Sequence, residues 1–132
     1  MLRYVTLGTN NVSAAKRFYA AIMPTIGCVL RSQDEDGVCY GPPGNTGINL
    51  WVEGPYDGKP ASYGNGTMLA LTAPTRAAVD AFHAAGLGAG GTDEGAPGLR
   101  PYGPNFYACY LRDPDGNKLS AVCEGQDAPT SP

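Results

Sequence analysis

The chain is written twice. Displaced by 64 residues, its first half falls on its second without a gap: Val5 meets Leu69, Leu7 meets Leu71, Phe18 meets Phe82, Ala20 and Ala21 meet Ala84 and Ala85, and Gly27 meets Gly91. Further along, VCYGPPGNTGINLWVE (38–53) is echoed by ACYLRDPDGNKLSAVCE (108–124). At a displacement of 70, Cys39 and Tyr40 fall on Cys109 and Tyr110; at 71, Ile48 falls on Leu119 and Glu53 on Glu124, so one inserted turn residue accounts for both registers. Matches kept in this order imply one supersecondary unit used twice, and a unit of about 60 residues is near the size where a lone module is marginal.

Each copy reads as a strand, a helix and three short strands. Leu2 to Leu7 is rich in strand formers, and Asn10 or Asn11 is placed to cap a helix. Its apolar positions Val12, Ala15, Phe18 or Tyr19, and Ile22 recur at helical spacing, and Pro24 stops it. Strands are predicted near 27–33, 37–40 and 47–53, between Asp, Gly and Pro clusters. The second copy gives a strand over 67–72, then a helix over 74–85 with Val79 and Phe82 inward and Gly86 as its stop. Strands near 87–92, 105–112 and 118–123 complete it, the last two joined by a turn at Asp113-Pro114-Asp115-Gly116-Asn117. The expected fold class is α+β: two βαβββ modules, 1–53 and 66–125, forming a curved mixed sheet around a central cup. A Gly/Pro-rich linker, 54–65, joins them into a single domain over 1–125, and 126–132 reads as a flexible tail.

The composition narrows the partners. Nine Lys and Arg against 12 Asp and Glu give a net charge of -3 with no basic stripe, which argues against nucleic acid. No apolar run approaches the roughly 20 residues of a membrane span, so membrane insertion is not expected. Cys28, Cys39, Cys109 and Cys123 lie inside apolar runs without Cys-x-x-Cys spacing, and the chain enters a strand pattern directly. Reduced thiols and a cytoplasmic location are the expectation.

The segments YVTLGTNNVSAAKRFYAAI, LALTAPTRAAVDAFHAAG and FYACYLRDPDGNKLSAVCE resemble the vicinal oxygen chelate superfamily of glyoxalases, bleomycin resistance proteins and extradiol dioxygenases, over residues 2 to 124. The resemblance implies the cup and a homodimer. In catalytic members, four inward side chains, usually His or Glu, hold a divalent metal: one near the start of each module and one on each module's last strand. The matching positions here are Tyr4, Asn49, Met68 and Ser120. A phenol with a usual pKa of about 10, an amide, a thioether and a hydroxyl are poor donors for such an ion. Neither a metal nor another cofactor is therefore expected, and the Lewis acid of the glyoxalase and dioxygenase reactions has no visible holder.

By strand alternation Trp51 shares the face of Asn49 and points into the cup, where Tyr4 and Met68 would extend an apolar, stackable wall; Tyr107 belongs to the same aromatic set. Asn49 and Ser120 would orient polar groups. Arg100, in the loop GLRPYGPNF before a strand that borders the cup in the resembling family, would meet an acidic ligand. The other reactive types read as structural: Cys39 and Cys109 as equivalent core residues, His83 as a partly solvated helix residue, Glu53 and Glu124 as strand ends that share the cup face. The expected function is metal-free binding of a small molecule, an aromatic or acidic metabolite or antibiotic, in a cup formed within one chain or across a dimer. The alternative is a lyase, isomerase or dioxygenase, either metal-free with Tyr4 or a displaced Glu as acid or base, or with relocated metal ligands.

Overall fold

The computed structural model describes residues 1–44 and 47–125; the expected flexible tail, 126–132, lies outside the described residues. The first module contains β1 (Tyr4–Gly8), α1 (Val12–Ile22), a 3-10 turn (Met23–Ile26), β2 (Val29–Gln33), β3 (Gly37–Gly41) and β4 (Asn49–Glu53). The second contains β5 (Met68–Thr72), α2 (Arg76–Gly88), β6 (Thr92–Leu99), β7 (Tyr107–Arg112) and β8 (Lys118–Cys123). The two modules form separate four-stranded sheets of the same order: sheet A, β1-β4-β3-β2, and sheet B, β5-β8-β7-β6. In each the first strand runs parallel to the last, and the other neighbours are antiparallel.

Local chemistry sets the helices. Asn11 Oδ1 accepts from Ala14 N at 3.0 Å and Thr75 Oγ1 from Ala78 N at 3.0 Å, each satisfying a first-turn amide that has no helical partner. Ala15, Phe18, Tyr19 and Ile22 form the buried stripe of α1, matched by Val79, Phe82 and Gly86 on α2. Both sheets turn apolar residues into one core shared with both helices: Val38, Tyr40, Leu50 and Val52 from sheet A, and Cys109, Leu111, Leu119, Ala121 and Cys123 from sheet B. Burying each of the large aromatic side chains there stabilises the fold by about 2 kcal/mol.

Two expected boundaries shift. Gly86 does not end α2, which continues to Gly88, and the following strand starts at Thr92 instead of near 87. Gly86 is a contact glycine: a methyl group there would lie 2.6 Å from Leu111 Cδ2 and 3.5 Å from Ile22 Cγ2, so its lack of a side chain lets α2 pack against β7 and α1. The chain reverses at Gly90 instead, where φ is 104°.

The Asp113–Asn117 turn also docks one module on the other. Asp113 is 3% exposed, and its carboxylate accepts from Tyr19 Oη at 2.6 Å, from the amides of Asp115 and Asn117, and from Asn117 Nδ2. Asn117 Nδ2 also donates to the Gly8 carbonyl at 3.0 Å, and Asp115 Oδ1 accepts from Asn10 N at 2.8 Å. Asn10 then grips the linker through Ala61, accepting from its amide at 2.6 Å and donating to its carbonyl at 3.0 Å.

Candidate functional site

Side chains opposite the core parity leave each sheet with an open face. On sheet A, Tyr4 stands opposite Asn49 and Thr6 opposite Trp51 in the β1–β4 ladder. With Arg3 and Glu53 these residues line a hollow of about 880 Å³. Tyr4 is 60% exposed, so its ring is available to a ligand. Asn49 owes its position to Gly41: a methyl group at residue 41 would fall 2.1 Å from Asn49 Oδ1. Arg31 closes this end by donating to the carbonyls of Pro42 and Gly44.

Sheet B carries a second hollow, of about 580 Å³, lined by Met68, Arg100, Tyr102, Phe106, Tyr110 and Lys118. The two hollows share no lining residue. The sequence-predicted set therefore divides: Tyr4, Asn49 and Trp51 gather on sheet A, while Met68 and Arg100 gather on sheet B. Ser120 lies on the sheet B face too, opposite Ala70 and Tyr110, and is fully buried with no hydrogen-bond partner for its Oγ. The residue opposite Met68 is Lys118. Within one chain the modules meet elsewhere, at an apolar crevice of about 270 Å³ where Val5, Ile48, Asn49 and Leu50 approach Leu69 and Ala70.

Three sequence assignments are corrected. Tyr107 is not a hollow residue: it packs on the core side of sheet B with Cys109 and Leu111, its hydroxyl donates to Asp80 Oδ1 at 2.6 Å, and Arg76 stacks 5.3 Å from its ring centroid. That hydrogen bond, with burial, pushes its hydroxyl up to about 12. Alternation places Tyr110 on the open face in its stead. Cys39 and Cys109 are both buried core residues, 1% and 0% exposed, but they are not equivalent in register: Cys39 pairs with Trp51 on the open-face parity, whereas Cys109 is on the helix-facing side. Burial raises both thiols above their ordinary value, Cys109 to about 11, which keeps them protonated and unreactive at neutral pH. His83 is buried, not partly solvated, and its Nε2 lies 2.8 Å from Asp93 Oδ1; that contact, reinforced by the Gly95 amide, lowers the Asp93 carboxyl. Glu53 joins the sheet A hollow, while Glu124 borders a separate crevice beside Thr72 and Phe106, so the two do not pair within one chain.

The family model of the Glyoxalase/Bleomycin resistance protein/Dioxygenase superfamily matches residues 2–120. The chain belongs to this superfamily. A crystal structure of a glyoxalase/bleomycin resistance protein from Albidiferax ferrireducens T118 is 36% identical, with a TM-score of 0.83 over 95% of this chain and 99% of that one. The fold also matches a glyoxalase-related enzyme from Fulvimarina pelagi (21% identity, TM-score 0.72, 93% of this chain and 87% of that one). A lactoylglutathione lyase from Agrobacterium tumefaciens shares it at 19% identity and TM-score 0.63, over 93% and 92% of the two chains. No curated protein matches the chain.

The donor chemistry of this superfamily member does not suit a divalent metal ion. The sheet A hollow offers a phenol, an amide and one carboxylate, Glu53; the sheet B face offers a thioether, a hydroxyl, the Lys118 ammonium and one carboxylate, Glu94, which is paired with Arg112. Among the described residues no three His, Cys, Asp or Glu side chains are grouped to hold an ion. Nor, among them, is any helix long and apolar enough to cross a membrane. Sequence reasoning missed Lys118 and Tyr110. The signal was present, since Lys118 lies two residues before Ser120 and so shares its face.

Proposed function

We propose that this superfamily member binds a small organic ligand without a metal, in a cup built from the open face of sheet A and the open face of sheet B from a second copy. One observation carries the reading: the sheet A hollow presents Tyr4, Trp51 and Asn49 together, a stacking wall with an amide beside it, and no imidazole. Closure across a dimer is supported by the large apolar side chains left exposed along the two faces and their margins, Leu2, Tyr4, Ile48, Met68, Leu99 and Tyr102. β1 and β5, the strands carrying Tyr4 and Met68, are edge strands, each paired along one side only.

The test combines sedimentation analysis with a thermal-shift screen of aromatic and acidic metabolites and antibiotics. A ligand that binds only the native state raises its melting temperature, by about 2.7 kcal/mol of stabilisation at a hundred times its Kd. Trp51→Ala is expected to abolish that shift while the far-ultraviolet circular dichroism stays unchanged. A monomer that no compound in the screen stabilises would refute the reading. A second reading is favoured by Glu53, the carboxylate beside Trp51, as the acid or base of a metal-free reaction. Sustained turnover of a hit, lost in Glu53→Gln, would select it.

A further inference from the structure

We infer that the sheet B hollow is an anion site, and that it selects ligands bearing a carboxylate or phosphate on an aromatic ring. This deepens the proposed function and rests on it, since the ring would meet Trp51 and Tyr4 from the second copy.

The argument begins with uncompensated charge. The protein is acidic overall, with a net charge of -3, yet this hollow holds Arg100 and Lys118. The ion pairs among the described residues are His83–Asp93 and Arg112–Glu94. Glu94, the carboxylate that borders the hollow, is thus neutralised by Arg112 at 3.4 Å, and neither Arg100 nor Lys118 has an acidic partner among the described residues. Both cations bracket one ring: the Arg100 guanidinium carbon lies 5.4 Å and Lys118 Nζ 5.7 Å from the Tyr110 centroid.

Arg100 is also built into place. It folds back over two glycines of β6, and methyl groups at Gly95 and Gly98 would lie 3.4 Å and 3.1 Å from its Nη2 and Nη1. Its Nη2 donates to the Ala96 carbonyl at 2.6 Å, leaving other guanidinium donors for a ligand. The second, independent observation is Ser120. Its Oγ is buried beneath this face, opposite Tyr110, without a partner. A buried hydroxyl left unpaired costs stability that an alanine would avoid, and here it is kept on the parity of Tyr110 and Lys118, beneath the residues that line the hollow. A guanidinium fork and an ammonium around an aromatic ring are the recognition chemistry of a carboxylate or phosphate.

The full chain is titrated calorimetrically with benzoate, phenyl phosphate and benzyl alcohol, while Trp51 fluorescence is followed. The anions are expected to bind at least about tenfold more tightly than the alcohol, and Arg100→Gln or Lys118→Met to weaken them by about tenfold each. Their affinity falls as salt rises, because the contacts are charged. The tighter of the two anions identifies the headgroup as carboxylate or phosphate. Ser120→Ala separates a ligand role from a structural one: it is expected to weaken the anion without lowering the melting temperature. If the alcohol binds and quenches Trp51 as well as the anions do, and the charge variants change nothing, the anion site is overturned while the binding reading stands. If none of the three probes binds, the anion site is overturned as well, and the thermal-shift screen alone decides the proposed function.

Discussion

Replacing Tyr19 by Phe removes one oxygen from the contact that holds the modules together. The Tyr19 hydroxyl donates to Asp113 Oδ2 at 2.6 Å, with both residues buried. A hydrogen bond to a charged group contributes about 1.5–3 kcal/mol. Here the lower end applies, because Asp113 Oδ2 keeps the donor Asn117 Nδ2 at 2.9 Å and is not orphaned. With an unfolding entropy near 2.1 cal/mol/K per residue, about 1.5 kcal/mol over this chain lowers the melting temperature by about 5 °C. The pH dependence supplies a separate check. Burial first, then the Asp113 carboxylate, raise the Tyr19 hydroxyl well above its usual value. The folded state therefore retains the proton more tightly than the unfolded chain. The resulting stability is complete below the unfolded pKa of about 10 and is lost as pH rises through the folded value. Thermal denaturation of wild type and Tyr19→Phe between neutral pH and pH 11 should show the 5 °C deficit at pH 7 and a shallower alkaline decline in the variant. Equal melting temperatures with identical alkaline limbs would refute the reasoning and leave apolar packing alone to join the modules.

Two further predictions concern residues whose roles the repeat disguises. Gly27→Ala is expected to cost about 1–2 kcal/mol through its left-handed backbone, φ 83°, since nothing lies near its Cβ position. Gly91→Ala is expected to cost about 1–3 kcal/mol through collision with the carbonyls of Gly86 and Arg112, 2.8 Å and 2.9 Å from the added methyl; urea denaturation measures both. His83→Gln removes the contact that contributes most to lowering the Asp93 carboxyl, so that carboxyl should return toward its ordinary value. A carbon-13 titration of Asp93 that did not move would discount the pair.

The repeat carried the fold because it is a repeat of core residues. Val5 and Leu69, Leu7 and Leu71, and Phe18 and Phe82 all pack into the shared core, so the spacing that aligned them is the spacing that buries them. Where the text of the two copies agreed for other reasons, it misled. Cys39-Tyr40 and Cys109-Tyr110 spell alike, but β3 turns Tyr40 and β7 turns Cys109 toward the helices, a one-residue change of register that reverses which side chain of the pair takes the other face, even though Cys39 is itself buried there. Gly27 and Gly91 also align, yet one is needed for its backbone angle and the other for its missing side chain. Contacts between distant segments left no periodic trace: the dependence of Gly86 on Leu111, and of the linker on Asn10, is visible only once the chain is folded.

The site was less legible than the fold for a reason built into the architecture. The modules are joined on the core side, by packed helices and the Asp113 network, so the open faces are free to change without loss of that anchor. Tyr4, Asn49, Trp51, Met68 and Lys118 all occupy the solvent-facing parity, where strand formation tolerates nearly any residue and pattern reveals only which way a side chain points. Parity placed Trp51 with Asn49, since both sit on one strand two residues apart. It carried no information about whether the first module's face meets the second module's face in the same chain. That relation depends on how α1 and α2 pack, and with those helices in a common core the two hollows remain apart, each open on its own sheet.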